Sequence, residues 1–257
     1  ASKPPGINRV AWSMRAPAPH APSAAQIAYA STQGPRFVPG TYTLRITSDG
    51  KVYSQPVTIV PDRRATYTQA DRQAQFEAAE RVSDLFGRMT DLVARINAVR
   101  QGAEARAEAL PESDAFKARL EALQAKADVL RKEIVATKEG GAITGEERLR
   151  EWTDQLYGGI NSWDGKPSDY QVKRIEVLDG LLGGVQQRFA ALVQSDLSAV
   201  NTELTQRKLQ PIVVPEGAQK VATGPGGELS ALAGWRFSLR PTGPAATQAG
   251  AEVEERD

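Results

Sequence analysis

Residues that could do acid–base or metal chemistry are few and badly placed in this chain. Its one histidine, His20, lies in the Pro/Ala-rich run APAPHAPSAA. A zinc site needs convergent ligands and a nucleophile triad needs a base held in place. An extended loop offers neither. Asp154, Asp164 and Asp169 flank one turn, but their spacing departs from an EF-hand calcium loop, and Asp is a common turn and cap residue. Glu146-Glu147 could be read as paired carboxylates. It sits where a helix N-terminus would stabilise negative charge, which is the plainer reading. Glu252–Glu255 reads as a solvated tail, and Gly224-Pro225-Gly226-Gly227 lacks the Lys-Ser/Thr that completes a phosphate loop. No catalytic residue, no cofactor site and no metal site is expected, and the chain reads as a non-enzyme.

The residues with a better claim to function are aromatic. Trp152, Tyr157, Trp163 and Tyr170 gather around one predicted helix–helix turn. Packing at a bundle end is the plain reading. The other is an interaction patch, because Trp and Tyr are enriched where proteins bind one another. Arg9, Val10 and Trp12, on a predicted strand near the start, form a second candidate patch.

Composition narrows the class. The 257 residues are 40% hydrophobic and 25% charged, as in ordinary globular domains. The 32 basic and 31 acidic side chains nearly cancel, so no general field draws nucleic acid or acidic lipid. The four Trp are not interleaved with a basic run, which also argues against nucleic acid. Cysteine is absent, so disulfides and thiolate chemistry are excluded. No apolar run is long enough to span a bilayer. The chain begins at Ala1 with no signal-peptide pattern, which points to a removed leader or a longer parent chain.

The elements that must position these residues are mostly helical. Gln69 to Gln101 carries Phe76, Val82, Leu85, Phe86, Met89, Leu92, Val93, Ile96 and Val99 at spacings of three and four. That predicts one helix, roughly 50 Å long, with a single apolar stripe. Thr68 with Asp71 resembles its capping box, and Gly102 reads as its end. A second helix is predicted over Asp114 to Lys138 with Ser113 as N-cap and a heptad seam from Phe116 to Thr137. A third opens at a Thr144–Glu147 capping box with the stripe Leu149, Trp152, Leu156, Ile160. A fourth opens at Ser168–Gln171 and runs to Lys208, with a phase slip near Leu192 where it bends or changes partners.

Residues 1–66 are β-like. Ile7 to Arg15 alternates loosely, and Thr41–Thr47 and Val52–Val60 flank the hairpin turn Ser48-Asp49-Gly50-Lys51. Pro56 marks the return strand as an edge or a bulge. After Pro211, Ile212–Val214 and Trp235–Leu239 are short strand candidates, and the end of the chain is Pro/Gly/Ala-rich and then acidic.

The segments GINRVAWSMR, VPGTYTLRITSDGKVYSQPVTIVPDRR, QAQFEAAERV and LREWTDQLYGGINSWDGKPSDYQ give the chain a resemblance. It resembles the C-terminal region of bacterial exported sortilin-like proteins, the glycosyl-hydrolase or sialidase-type β-propeller repeat proteins. The resemblance covers about Gly6 to Leu209. It implies an Ig-like β-domain followed by helices, without the propeller and without the first strands of the sandwich. It also implies an extracytoplasmic place, periplasmic or on the cell surface. No catalytic residue carries over. A truncated sheet would leave unpaired backbone groups, to be covered by Trp235–Leu239, the Pro-rich loop or another protein.

The expected fold is α+β. A small incomplete Ig-like antiparallel β-unit (1–66) precedes an antiparallel bundle of three or four long helices (67–210), and an irregular, mobile segment follows (211–257). The expected role is an extrinsic structural subunit that braces or clamps other protein subunits, including a membrane complex. The alternative is an accessory domain processed from an exported propeller protein that assists glycan or peptide binding.

Overall fold

The computed structural model describes residues 12–48, 51–138, 140, 145–216, 228–232 and 235–241. The fold is α+β: a helical bundle beside a small antiparallel sheet whose strands come from both before and after the helices. Helix α1 spans Gln69–Glu108, 40 residues, or about 60 Å at ~1.5 Å per residue. Its capping box is the predicted one. The Thr68 hydroxyl accepts from the Asp71 N–H at 3.1 Å, and the Asp71 carboxylate accepts from the Thr68 N–H at 2.8 Å. The apolar stripe is buried along its length, with Val82, Phe86, Ile96, Val99 and Ala103 fully or almost fully covered.

Gly102 does not end α1. A Cβ there would lie 2.7 Å from Ile212 Cγ2. The missing side chain lets the segment after the bundle press against the helix. That segment is not a strand. Asn201 grips both polar groups of Ile212, accepting from its N–H at 2.8 Å and donating to its carbonyl at 3.0 Å. Arg106 donates to the carbonyls of Gln210 and Pro211.

Helix α2 spans Ala115–Ile134 and α3 spans Leu149–Asn161. The N-cap of α2 is Asp114, not Ser113: its carboxylate accepts from the Phe116 N–H at 2.9 Å. The helix also stops short of Lys138, and Val135 and Ala136 continue as buried extended chain. Helix α3 begins after the predicted box. Glu151 accepts from the Arg148 N–H at 3.1 Å, and Glu146 instead receives the Thr137 N–H at 2.8 Å. Helix α4 spans Asp169–Leu192, with Ser168 and Gln171 forming its capping box. A π-helical turn, Val193–Leu197, then leads into α5, Ser198–Gln206. The step from buried Leu192 to buried Leu197 is five residues. A π-turn absorbs that extra residue and keeps the seam facing inward, which is the physical form of the phase slip.

Cross-links give the helix directions. Along α1, Arg88 pairs with Asp179 and Arg95 lies 5.4 Å from the Phe189 ring centroid, so α4 runs parallel to α1. Along α2, Asp114 pairs with Arg207, Arg119 with Glu203, Lys126 with Asp196 and Glu133 with Arg188, so α2 runs against α4 and α5. Helix α3 also runs against α1, with Tyr157 near Phe86 and Ile160 near Gln75. The bundle therefore has three rods. One is α1, one is α2 followed by α3, and one is α4 followed by α5.

Strand β1 spans Gly40–Ser48 and β2 spans Lys51–Ile59, paired antiparallel with Ser48 opposite Lys51. Strands β3 (Glu228–Leu232) and β4 (Trp235–Pro241) complete one sheet in the order β2-β1-β4-β3. The expected Trp235–Leu239 strand thus covers β1, with Leu44 opposite Leu239. Pro56 sits on edge strand β2, where a missing N–H is tolerated and also blunts further strand addition. The sheet meets the bundle through Phe37, which stacks on Phe76 of α1 at 6.3 Å and meets Tyr42 edge-on at 5.2 Å.

Residues 15–36, expected within the β-unit, run across the helices as a strap. Thr90 donates to the His20 carbonyl at 2.6 Å, the Ala25 N–H to the Ala136 carbonyl at 3.1 Å, and Gln26 to the Glu146 carbonyl at 2.9 Å. Arg9, Val10, Asp49-Gly50, Thr144, Gly224–Gly227 and the acidic tail lie outside the described residues.

Two measurements follow from this packing. Gly102→Val is expected to destabilise by about 1–3 kcal/mol through overpacking, whereas Gly87→Ala is expected to stabilise by about 0.5–1 kcal/mol, because nothing lies within 4 Å of a Cβ at Gly87. Urea unfolding of both variants checks this, and destabilisation by both would contradict it. Glu80 on α1 is half-buried, and burial, with Glu77 second, pushes its carboxyl from 4.5 up to about 7. The folded state then holds a proton that the unfolded chain has lost. Stability from this group falls as pH rises from 4.5 to about 7 and levels off above that. Glu80→Gln is expected to gain about 1 kcal/mol at pH 8, after discounting for solvent screening, and almost nothing near pH 4.5. Thermal melts at the two pH values read the difference, and an equal gain at both would refute the assignment.

Candidate interaction site

The aromatic residues around the α3–α4 turn divide by helical geometry. Trp152, Gln155, Leu156 and Gly159 share one face of α3, and Ser168, Tyr170, Gln171 and Arg174 line the first turns of α4. With Trp163 they wall an open pocket of about 430 Å³. Trp163 is 55% exposed and Tyr170 72%, both high for large aromatic side chains.

Tyr157 is not part of this surface. It is 1% exposed, its ring meets Phe86 edge-on at 6.1 Å, and its hydroxyl donates to the Gln33 carbonyl at 3.0 Å. Burial pushes its phenol well above the ordinary range. Trp12 also leaves the candidate surface. Its ring packs on Phe37 at 5.5 Å in the small core between sheet and bundle, and its buried Nε1 finds no acceptor among the described residues.

Each wall of the pocket is held from behind. The Trp152 Nε1 donates to one oxygen of Glu147 at 3.3 Å, and Gln155 Nε2 donates to the other at 2.8 Å. The Arg174 guanidinium lies 5.8 Å from the Trp152 ring centroid, in cation–π range. Gln171 spends its Oε1 on the Ser168 N–H at 2.9 Å as part of the α4 capping box. Gly165 makes room for the Trp163 ring: a Cβ there would be 2.6 Å from Cζ3.

The turn itself is anchored to α1 by polar groups. Asp164 pairs with Arg72 at 3.0 Å and with Arg36 at 2.9 Å. Gln75, 3% exposed, donates to the Ile160 and Trp163 carbonyls, and its own oxygen accepts from Arg72. Arg72 is 6% exposed. A buried guanidinium without its partners would cost several kcal/mol, which favours this position of the turn.

Asp154, Asp164 and Asp169 do not converge on a cation site. Asp154 accepts the Ala30 and Ser31 N–H groups of the strap, Asp164 takes the two arginines, and Asp169 sits in the first turn of α4. Among the described residues, no three His, Cys, Asp or Glu side chains are grouped to hold a metal ion. A second groove, about 670 Å³, runs beside the π-turn and α5 and is walled by Ile212 and Val214.

Sequence reasoning located Trp152, Trp163 and Tyr170 but missed Arg174, Gln155 and the anchor Arg72–Gln75–Asp164. Arg174 had a signal, since it lies four residues after Tyr170 and so on the same helix face. Comparison of the chain with protein-family models, curated protein sequences and solved structures returns no significant match.

Proposed function

We propose that this chain is a non-enzymatic interaction module of the extracytoplasmic space, an extrinsic subunit that docks on another protein through the α3–α4 aromatic surface. One observation carries the reading. Two large aromatic side chains stand mostly in solvent: Trp163, on a turn held by buried Arg72 and Gln75, and Tyr170, in the first turn of α4. Exposing such area on a preorganised frame lowers the ordering cost of association. Rigid aromatic groups of this kind dominate binding energy at interfaces. The three-rod bundle suits the bracing role, because it holds the surface at one end of a stiff body. No helix among the described residues is long and apolar enough to cross a membrane. The extracytoplasmic part of the reading rests on the family resemblance.

The test uses the tagged chain in the cells that make it. The wild-type chain is expected in a larger complex after mild detergent extraction and in the osmotic-shock or surface fraction. A Trp163→Ala/Tyr170→Ala double variant is expected to lose about 90% or more of that complex while keeping its helical circular dichroism. Full retention of the complex by the double variant would contradict the docking role, and recovery in the cytosol would contradict the location.

A further inference from the structure

Several polar groups that face the α3–α4 pocket are donors without a partner among the described residues. Gln171 has committed its oxygen to the α4 cap, which leaves its Nε2 hydrogens. Arg174 has no carboxylate and no hydrogen-bond acceptor among the described residues, so its guanidinium donors are free apart from the Trp152 ring. The Trp163 Nε1 and the Tyr170 hydroxyl likewise have no acceptor among the described residues. On the accepting side, Glu147 takes Trp152 on one oxygen and Gln155 on the other, and the Gln155 Oε1 and the Tyr170 hydroxyl oxygen stay open. The pocket therefore offers aromatic walls and one cationic donor group, Arg174, with no Asp or Glu among its lining residues.

Resting on the docking role proposed above, we infer that this pocket takes an extended, proline-bearing, acidic segment of the partner protein. The chemistry matches group by group. A proline segment has no N–H at each Pro and presents carbonyl acceptors on a preformed, low-entropy helix. Its compact apolar pyrrolidine rings pack against aromatic side chains, which is how aromatic-lined grooves recognise such segments. A neighbouring carboxylate on the ligand answers Arg174, which has no acidic partner among the described residues. A neutral saccharide is the poorer fit. It brings no carboxylate for Arg174, the charged side chain that lines the pocket.

Calorimetric titration of the full chain tests this with an acetylated, amidated Pro-Glu-Pro-Pro-Glu-Pro peptide. Two control peptides replace Glu by Lys or Pro by Ala, and maltohexaose stands for a neutral glycan. The acidic proline peptide is expected to bind saturably, and each control peptide about tenfold or more weakly. Arg174→Glu is expected to invert the preference toward the Lys-bearing peptide, a result that lost folding cannot produce. Trp163→Ala is expected to weaken the acidic peptide about tenfold with an unchanged melting profile. Equal binding of the Ala-for-Pro peptide, no inversion in Arg174→Glu, or binding of maltohexaose in preference to the peptide would overturn the inference. If the peptide fails while the native complex still depends on Trp163 and Tyr170, the ligand class is wrong and the docking surface stands.

Discussion

A 40-residue helix with one apolar stripe must be covered along its whole length, and the rest of this fold is the cover. No single neighbour does it. Helix α2 covers the C-terminal half of α1 and α3 the N-terminal half, while α4 and α5 run beside both. The two joints this requires become the special places in the molecule. At one, the α2–α3 connection is tied down by Glu146, which takes the Thr137 N–H and pairs with Arg148. Those contacts hold its carboxyl down to about 2. At the other, the α3–α4 turn must reverse the chain over the N-terminal end of α1.

That second joint explains the aromatic surface. Upstream of Phe76 the stripe continues as Gln75 and Arg72, which are polar yet buried. They cannot be covered by apolar side chains, so the turn brings them carbonyls and a carboxylate, from Ile160, Trp163 and Asp164. Satisfying those groups fixes the turn backbone and leaves the Trp163 ring outside. Tyr170 and Arg174 follow from the next helix on the same side. The sheet joins at this same end through Phe37 on Phe76 and through Gln69, which donates to the Pro39 carbonyl at 2.8 Å.

Features written in local sequence were legible. The α1 and α4 capping boxes, the stripes, the edge position of Pro56 and the slip near Leu192 each depend on residues within one or two turns. The misreadings share a cause, which is long-range packing. Gly102 looks like a helix end because glycine costs about 1 kcal/mol in a helix. Contact with Ile212, 110 positions away, overrides that preference. The strap has no periodicity, and its hydrogen bonds run to Thr90, Ala136, Glu146 and Asp154. Tyr157 was grouped with its aromatic neighbours by sequence distance. It is five residues from Trp152, about 140° around the helix at ~100° per residue, so it faces the core instead of the pocket.

Photo-crosslinking is the most direct test of the claim that the chain docks through the α3–α4 surface. p-Benzoylphenylalanine is placed at Tyr170 in the native cell, with Val129 of α2, also exposed at 59%, as the control position. The account predicts one discrete crosslinked protein from position 170 and none from position 129. No crosslink at 170, or the same products from both positions, would contradict it.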